Sequence, residues 1–352
     1  MSRVTIKTVA KAVGVSAATV SNAYNKPDQL SAALRERVLA KAAELGYDGP
    51  NAAAQSLRSG RANAIGVLLS YHLPYAFSDP FAVDFLAGLS EACSEQRAAL
   101  VLLPLAGEPD QEPDLGALRR ANIDGLTEIC LTHVVASVNE LTRRRGLPFV
   151  GTFINPDNDY VAIDDVDAGR LLGEHLHRLG HRDVTVLWDS ARPPGSSPRE
   201  VPADASTTSH YEQLDRMWVD RFRGVAEGMP GARFRLVEGG INSLESGRTA
   251  GAYALDQATR STAIVCMSDV MALGVLDAMR ARGLSAPGDV SVCGIDDIAA
   301  ATSAGLTTVH QPSHEKGLRV GRLLLDPSLT ERQVILPVEL VVRRSTGPAP
   351  RT

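Results

Sequence analysis

The chain has 352 residues, of which 44% are hydrophobic and 22% charged, and its formal net charge is −5. This composition supports a substantial core and excludes global disorder, and the length suits a small module joined to a larger body. No apolar run approaches the ~18 residues of a membrane span and no signal peptide opens the chain, so we expect a cytoplasmic protein of bacterial type.

The charge is divided unevenly along the chain. Residues 1–62 contain nine Lys or Arg against four Asp or Glu, a net charge of +5, whereas the remaining residues carry −10. A basic end on an acidic body is the distribution that attaches one end of a protein to nucleic-acid phosphates.

Cysteine usage argues against metal chemistry. The chain contains no C-x-x-C pair, and three of its four cysteines lie in apolar, strand-like runs; the four are Cys93, Cys130, Cys266 and Cys293. We therefore expect buried, reduced thiols, and we predict neither a metal nor a cofactor.

The segment from Thr5 to Tyr24 predicts two short helices joined by a tight turn at residues 14–16, a helix-turn-helix pattern. Thr5 and Ser16 stand where each can cap a helix, and Gly14 permits the turn. The second helix is expected to bury Val20 and to expose Ala17, Ala18, Ser21 and Asn22. Such a face suits the major groove of DNA, where Asn can pair with adenine. A solvated helical hairpin without a nucleic-acid role is the alternative.

A third helix is predicted to begin after the capping residue Ser31 and to end at Gly46, closing a small core with the first two. The next segment, residues 50–62, is rich in alanine but contains Leu57, flanked by Arg58 and Arg61. Two interpretations stay open. It forms either a short solvated linker helix or a hinge helix that orders on DNA, with Leu57 wedged into the minor groove and the arginines on phosphates.

From Ala64 onward, apolar strand-like runs alternate with amphipathic stretches, which predicts parallel sheets covered on both faces. The predicted strands are Ala64–Ser70, Ala99–Leu105, Gly125–Leu131, Pro148–Ile154, Val184–Trp188, Phe234–Glu238, Ala263–Met267 and Val290–Ile295. The predicted helices include Phe81–Gln96, Val166–Leu179, Ser243–Ala258 and Val270–Arg282. This many strands suggests two doubly wound lobes with a ligand between them. Residues 189–215, rich in Pro, Ser and charge, are expected to form a mobile surface insertion.

Several blocks of the sequence, in order, resemble the LacI-type (lactose-repressor) family of transcription regulators. They are TIKTVAKAVGVSAATVSNAYN, ELGYDGPNAAAQSLRSGRANAIGVLL, AIDDVDAGRLLGEHLHRLGHRDVTVL, MSDVMALGVLDAMRARGLSAPGDVSVCGIDDIAAA and LTTVHQPSHEKGLRVGRLLL. The resemblance implies an α/β fold with a helix-turn-helix headpiece at 1–49, a hinge helix or linker at 50–62, a two-lobed periplasmic-binding-protein-like body at 63–346 and a tail at 347–352. It further implies a homodimer on a near-palindromic operator, a repressor whose DNA affinity is controlled by a sugar-like effector. The C-terminus contains no leucine heptad, which argues against a tetramer built on a coiled coil.

The resemblance also assigns roles to individual residues. Ala17, Ala18 and Asn22 would face bases, and Leu57 would be the minor-groove wedge. Many family members carry Arg where this chain has Asn22, so adenine becomes the expected partner there. The predicted DNA contacts are Thr5, Ser16, Ala17, Ala18, Thr19, Ser21, Asn22, Asn25, Tyr47, Asn51, Ala54, Leu57 and Arg58.

In the body, the resemblance places an effector-clamping Arg at Arg221, a pocket carboxylate at Asp296 and a cleft-side acid at Asp269. A guanidinium grips two hydroxyls or a carboxylate in one plane. For Asp269, helix capping is the alternative. The candidate effector contacts are Tyr71, Asp79, Phe81, Arg221, Asp269 and Asp296. Two departures leave the effector open: Ser268 replaces a common Asn, and residues 70–81 are longer than usual, with Tyr71, Tyr75, Phe77 and Phe81 able to stack on a sugar or nucleobase or simply to pack.

Two other classes of function are alternatives. A solute-binding protein without a DNA role would leave the basic headpiece unexplained. An enzyme is not expected, because no nucleophile elbow or phosphate loop appears. A cluster of acids and histidines contains residue types that bind metals, but its members do not share one helix face, and a charged helix face is the better interpretation: Asp164, Asp165, Asp167, His175, His177 and His181.

Overall fold

The structure, a computed structural model, describes residues 4–49, 60–69, 73–105, 114–129, 135–190, 192–193, 195–201, 216–257 and 261–350. The chain divides into two compact units, Met1–Asn63 and Ala64–Thr352. The first unit carries the predicted helix-turn-helix and the second the predicted two-lobed body.

The first unit contains three helices, α1 (Ile6–Val13), α2 (Ala17–Asn25) and α3 (Ala32–Glu44), and a 3₁₀ turn at Pro27–Gln29. Thr5, Ser16 and Ser31 cap the three helices through side-chain oxygens that accept backbone N–H bonds. Gly14 ends α1 in the left-handed conformation, with φ 76°, which suits glycine. The helices enclose a core of small and branched apolar side chains: Val9, Ala10, Val20, Ala23, Val38 and Ala42.

The first lobe of the second unit is built on a six-stranded parallel sheet in the order β12-β5-β4-β3-β1-β2. Its strands are β1 (Ala64–Leu69), β2 (Ala99–Pro104), β3 (Gly125–Ile129), β4 (Phe149–Gly151), β5 (Asp159–Ile163) and β12 (Gln333–Leu336). Its helices are α4 (Pro80–Glu95), α5 (Gly116–Arg120), α6 (Val135–Arg145) and α12 (Ser313–Leu325), preceded by a 3₁₀ turn at Leu73–Phe77. Helices α4 and α12 pack together closely.

The second lobe is built on a seven-stranded sheet in the order β13-β11-β10-β9-β6-β8-β7, parallel except at its two edges. Its strands are β6 (Asp183–Trp188), β7 (Arg199–Val201), β8 (Arg233–Glu238), β9 (Ala263–Cys266), β10 (Ser291–Asp296), β11 (Thr307–His310) and β13 (Glu339–Val341). Its helices are α7 (Asp165–Arg178), α8 (Arg216–Gly228), α9 (Leu244–Leu255), α10 (Asp269–Arg280) and α11 (Ala299–Ala304). The buried runs of the central strands explain why the parallel sheets were predictable.

The chain crosses between the lobes three times, at residues 163–165, 310–313 and 336–339. Each lobe therefore contains segments from distant parts of the sequence. Because parallel strands end at the same edge of a sheet, loops from both lobes converge beside these crossings, where ligands bind in open α/β folds. The predicted two-lobed α/β fold is confirmed.

The insertion at residues 189–215 differs in part from the prediction of a mobile segment. Arg199–Val201 forms the edge strand β7, antiparallel to β8, and Val201 is buried. Arg192 also donates hydrogen bonds to Glu238 and to the Gly239 carbonyl. This strand was not predicted, because its segment is rich in turn-forming residues. Pairing with β8, rather than local propensity, stabilises it. The prediction for residues 202–215 lies outside the described residues.

Candidate DNA-reading helix and effector cavity

The exposed face of α2 matches the predicted reading face only in part. Ala18 is exposed, and Ala17, Thr19 and Asn22 are half-buried. The Asn22 amide donates to Gln29 Oε1 at 3.1 Å, which holds the side chain at the end of the helix. The amide that would pair with a base is thus already oriented before DNA binds.

Two of the predicted DNA contacts are buried inside the headpiece. Ser21 is 8% exposed, and its hydroxyl accepts a hydrogen bond from Asn25. Tyr47 is 9% exposed, its ring meets that of Tyr24 edge to face, and its carbonyl accepts the Tyr24 hydroxyl. The expectation that Ser21 is exposed was wrong, because the packing of the headpiece buries Ser21 together with Val20 and Ala23 of α2. Thr5 and Ser16 act as helix caps.

The predicted hinge and minor-groove contacts, Asn51, Ala54, Leu57 and Arg58, lie outside the described residues, as does the candidate effector contact Tyr71. Their predicted roles are neither supported nor contradicted by the structure.

A cavity between the two lobes brings together four of the predicted effector contacts. Asp79 and Phe81 reach it from the start of α4 in the first lobe, and Arg221 and Asp296 reach it from α8 and the end of β10 in the second. The remaining lining residues are Tyr75, Phe85, Ile129, Thr152, Phe153, Asp165, Asp189, Met217, Trp218, Asn242, Ser268, Gln311 and Lys316. Residues scattered over more than 230 positions therefore form one site.

Arg221 is fixed on three sides within the cavity wall. Its Nε donates to Asp165 Oδ1 at 2.8 Å, its Nη1 donates to the Met267 carbonyl at 2.6 Å, and its guanidinium stacks over the Trp218 ring at 5.1 Å. The side chain is only 4% exposed. A planar guanidinium anchored in this way is held in one orientation, which a flexible ammonium would not be.

Asp296 occupies a strained position on the cavity wall. Its φ of 123° is rare for any residue other than glycine, and the next residue, Asp297, is left-handed with φ 58°. Gln311 Nε2 donates to Asp296 Oδ1 at 2.5 Å, and the Lys316 ammonium contacts Gln311 Oε1 at 3.3 Å. Burial raises the pKa of Asp296 to about 7, although Arg221 opposes the shift. The site therefore holds a carboxyl group close to its titration point.

A chain of hydrogen bonds crosses the cavity from one lobe to the other. The Ser268 hydroxyl donates to Asn242 Oδ1 at 2.6 Å, Asn242 Nδ2 donates to the Tyr75 hydroxyl at 3.1 Å, and Tyr75 donates to Asp79 Oδ2 at 2.8 Å. Ser268 caps α10 and Asp79 caps α4, so the chain joins the N-termini of two helices in different lobes. Burial raises the pKa of Asp79 despite the Tyr75 bond.

Asp269 does not line the cavity, so the prediction of a cleft-side acid there is not supported. It is fully buried behind β10, where it accepts bonds from the Thr308 hydroxyl at 2.6 Å and the Ile298 N–H at 3.1 Å. Ser268, not Asp269, is the helix cap. A Cβ at Gly294 would approach Asp269 Oδ1 to 2.3 Å, so this packing requires glycine there. By accepting the Ile298 N–H, Asp269 stabilises the strained turn at Asp296–Ile298.

The sequence reasoning missed several lining residues. Trp218 stands three positions before Arg221 on one helix face, so helical spacing alone could have found it. Gln311 lies within the second lobe crossing and Lys316 just beyond it, and no local signal pointed to them. Only the return of the chain to the first lobe brings Lys316 over the Phe81 ring, at 5.6 Å.

Some of the acids and histidines that were predicted to form a charged helix face are buried. Asp164 caps α7, His175 contacts the Thr346 hydroxyl, and His181, wholly buried, contacts Thr262 and the Gly347 carbonyl. Asp165 belongs to the cavity. The C-terminal segment covers these histidines, which helical periodicity could not show.

The thiols agree with the prediction: Cys93, Cys266 and Cys293 are buried and free, and Cys130 lies outside the described residues. Within the described ranges, no group of three or more His, Cys, Asp or Glu side chains is arranged to hold a metal ion. Over the same residues, each helix is too short or too polar to traverse a bilayer.

Sequence comparisons identify the same division of the chain. Residues 5–51 match the family of bacterial regulatory proteins of the lacI type. Residues 62–201 match the periplasmic binding proteins and sugar binding domain of the LacI family, and residues 174–346 match a periplasmic binding protein-like domain. An HTH-type transcriptional regulator of Mycolicibacterium smegmatis is 37% identical over 98% of this chain and 97% of its own length.

Solved structures extend the similarity to three dimensions. The lac repressor dimer bound to operator and the anti-inducer ONPF superposes with a TM-score of 0.73 at 26% identity, covering 98% of this chain and 100% of that one. The complex of the transcriptional regulator CelR with cellobiose has a TM-score of 0.66 at 27% identity, covering 97% and 100%.

The helix-turn-helix and the two-lobed body therefore match a known architecture along nearly the whole chain. A DNA-binding headpiece joined to an effector-binding body is the arrangement of a transcription regulator. This chain belongs to the LacI family of bacterial transcription regulators.

Proposed function

We propose that this protein is a homodimeric repressor that binds a near-palindromic operator and whose affinity for that operator is set by a sugar-like effector held between its lobes. The observation that carries the proposal is the cavity itself, in which Arg221, Asp296 and Asp79 converge from both lobes. The related structures support it, one being a dimer on operator DNA and another a complex with cellobiose.

The fold suggests how the two sites communicate. The body begins with β1 at Ala64, immediately after the linker to the headpiece, and β1 is a central strand of the first lobe. A ligand that bridges Asp79 and Arg221 favours one angle between the lobes, and in a dimer this angle sets the spacing of the two headpieces. Binding of effector and operator are then reciprocally linked.

The two alternative functions, a solute-binding protein and an enzyme, account for fewer of the observed features than a repressor does. A function as a solute-binding protein does not account for a capped helix-turn-helix that carries a net positive charge. Among the described lining residues, the hydroxyls of Tyr75 and Ser268 donate to Asp79 and Asn242 within the interlobe chain, so both act as links between the lobes. We therefore assign no catalytic role, and we place the protein in the cytoplasm with its DNA.

Fluorescence anisotropy with labelled fragments of the regulator's own upstream region tests the proposal. The expected result is a fragment bound at least about 1000-fold more tightly than random DNA of equal length at fixed salt. Equal affinity for both, with or without a cavity ligand, would contradict it. Size-exclusion chromatography with light scattering separately tests the dimer.

A further inference from the structure

The cavity residue Asn242 stands on a loop that has little rigidity of its own. Residues 239–243 connect the end of β8 to the start of α9, and the first two of them are glycines. Glycine adopts more backbone conformations than any other residue, so contacts from outside the loop are needed to hold it in one conformation. Asn242 nevertheless accepts a hydrogen bond from Ser268 at 2.6 Å and donates one to Tyr75 at 3.1 Å.

The insertion supplies such contacts through Arg192. Nη2 of Arg192 donates to the backbone carbonyls of Glu238 and Gly239, at 3.1 and 2.9 Å. The Arg192 carbonyl accepts the N–H of Ile241 at 2.7 Å. A single residue therefore binds backbone groups on both sides of the glycine pair and immediately before Asn242.

The guanidinium of Arg192 is itself fixed by a buried carboxylate. Its Nε donates to Glu238 Oε1 at 3.1 Å, and the Glu238 side chain is only 4% exposed. Arg199 of the edge strand β7 donates to the other carboxylate oxygen at 2.6 Å. Because a buried carboxylate separated from its cations is costly, this pairing restricts where the Arg192 guanidinium can lie. Its Nη1 donates to the Ser197 carbonyl at 2.8 Å, which ties it to the insertion as well.

Other groups of the insertion also contact the loop. The Ser190 hydroxyl donates to the Gly239 carbonyl at 2.8 Å, and the Ser190 N–H donates to the Gly240 carbonyl at 3.3 Å. A Cβ at Gly240 would approach the carbonyl oxygen of Pro193 to 2.4 Å, so the backbone of the insertion requires glycine there. The glycine that makes the loop pliable is thus also the one that lets the insertion approach it.

We infer that Arg192 is a positioning residue for the cavity, which fixes the loop at residues 239–243 so that Asn242 reaches Tyr75 in the other lobe. The described part of the insertion then contributes to the contact between the lobes rather than lying passively on the surface. A planar guanidinium can donate to a carboxylate and to two carbonyls at once, which the single ammonium of lysine cannot do in the same geometry. The inference rests on the proposed function only for its consequence, a better ordered effector site.

Hydrogen–deuterium exchange of the full-length protein, without effector or DNA, tests the inference. Arg192→Lys keeps a cation beside Glu238 but loses the bridge to the two carbonyls. We expect the Ile241 amide to exchange at least about 10-fold faster than in the wild type, because exchange reports local opening. Across the cavity, the amides of Ser78 and Asp79 donate to the Tyr75 carbonyl, and we expect them to exchange at least about 3-fold faster.

A second background separates positioning from a general loss of stability. Tyr75→Phe removes the hydrogen bond between Asn242 and the first lobe. Arg192→Lys in that background should still accelerate exchange at Ile241 and have no further effect at residues 78–79, since coupled residues are not additive. Arg233→Lys is the matched control. Arg233 is an exposed residue of β8 paired with Asp183, and its replacement should change exchange at neither segment.

Three results would overturn the inference. They are unchanged exchange at Ile241, faster exchange at Ile241 without any change at residues 78–79, and an effect at residues 78–79 that persists in Tyr75→Phe. If Arg192→Lys does not fold, Ser190→Ala removes another hydrogen bond to the Gly239 carbonyl and is measured in the same way, with exchange at Ile241 and at residues 78–79 expected at least about 3-fold faster. Because no effector or operator is present, these results are independent of the proposed function, which fails only if the preference for operator over random DNA is absent.

Discussion

Asn242 in the second lobe donates a hydrogen bond to the hydroxyl of Tyr75 in the first lobe, at 3.1 Å, and this bond joins the two walls of the cavity. The Tyr75 hydroxyl in turn donates a hydrogen bond to the buried carboxyl of Asp79. Polar contacts of the protein itself therefore hold the two lobes in this arrangement, before an effector contributes.

Removal of this hydroxyl should open the ligand-free protein. Tyr75→Phe deletes the acceptor of Asn242 and the donor to Asp79, a loss of about 1–3 kcal/mol for buried polar groups left without partners. We expect a larger radius of gyration by small-angle X-ray scattering without ligand. Tyr253→Phe, on α9 and outside the cavity lining, is the matched control. An unchanged radius for Tyr75→Phe would show that apolar packing alone holds the lobes together.

Replacement of Arg221 by lysine should weaken effector binding. Arg221→Lys keeps the charge but cannot donate in one plane to both Asp165 and the Met267 carbonyl. We expect effector affinity, measured by calorimetry, to fall about 10- to 100-fold, equivalent to about 1.4–2.8 kcal/mol. Arg223→Lys, an exposed ion-paired position of the same helix, should bind as the wild type does. Equal affinities in the two variants would remove Arg221 from the binding site.

Asp296 should make stability depend on pH. Its pKa is raised by burial from 3.8 to about 7, so between these values the folded state holds more protons here than the unfolded chain. This contribution is complete below pH 3.8 and is lost as pH rises through 7. We expect the free energy of unfolding of the wild type, relative to Asp296→Asn, to decline from about pH 4 to about pH 7 and to level off above that.

Urea titration followed by tryptophan fluorescence measures this difference, because Trp188 and Trp218 both lie in the lobe that contains Asp296. Subtraction of the Asp296→Asn curve cancels the opposite contribution of His175 and His181, whose pKa values burial lowers. A difference that stays constant above about pH 4 would mean that Asp296 is ionised in the folded protein throughout this range.

Asn22 should determine one base of the operator. Its amide is oriented by Gln29, at a position where pairing with adenine is possible. Asn22→Ala should cost about 1–3 kcal/mol on the operator and relax the preference at that base, with nonspecific binding unchanged. Equal losses on operator and random DNA would indicate a phosphate contact or a folding defect.

Leu57 should contribute to specific binding alone. If it inserts between base steps, Leu57→Ala weakens binding to the operator by more than about tenfold and leaves random DNA nearly unaffected, since only a bent operator accepts the wedge. Anisotropy titrations of both DNAs in parallel measure this. Equal losses on the two DNAs would show that Leu57 merely packs within the linker.

Much of the body was predictable because its central strands are buried on both faces. Runs such as Ala64–Leu69 and Ala263–Cys266 are apolar throughout, so composition alone marks them as strands of a parallel sheet. Strands at or near the sheet edges, including β7, β12 and β13, were missed. They are short, partly exposed and formed by pairing with distant segments, for which a local pattern carries no signal.

The sequence by itself determined the helix-turn-helix, the alternating α/β body and the chemical character of Arg221, Asp79 and Asp296. These follow from caps, periodicity and residue type, which act over a few positions. Only the tertiary structure decided that Ser21 and Tyr47 are buried, that Asp269 lies behind the cavity, and that Lys316, Asn242 and Tyr75 reach it. The burial of Ser21 and Tyr47 depends on how the three helices of the headpiece pack together. The arrangement around the cavity depends on three crossings between lobes, which bring together side chains too distant in the chain for any local pattern to relate.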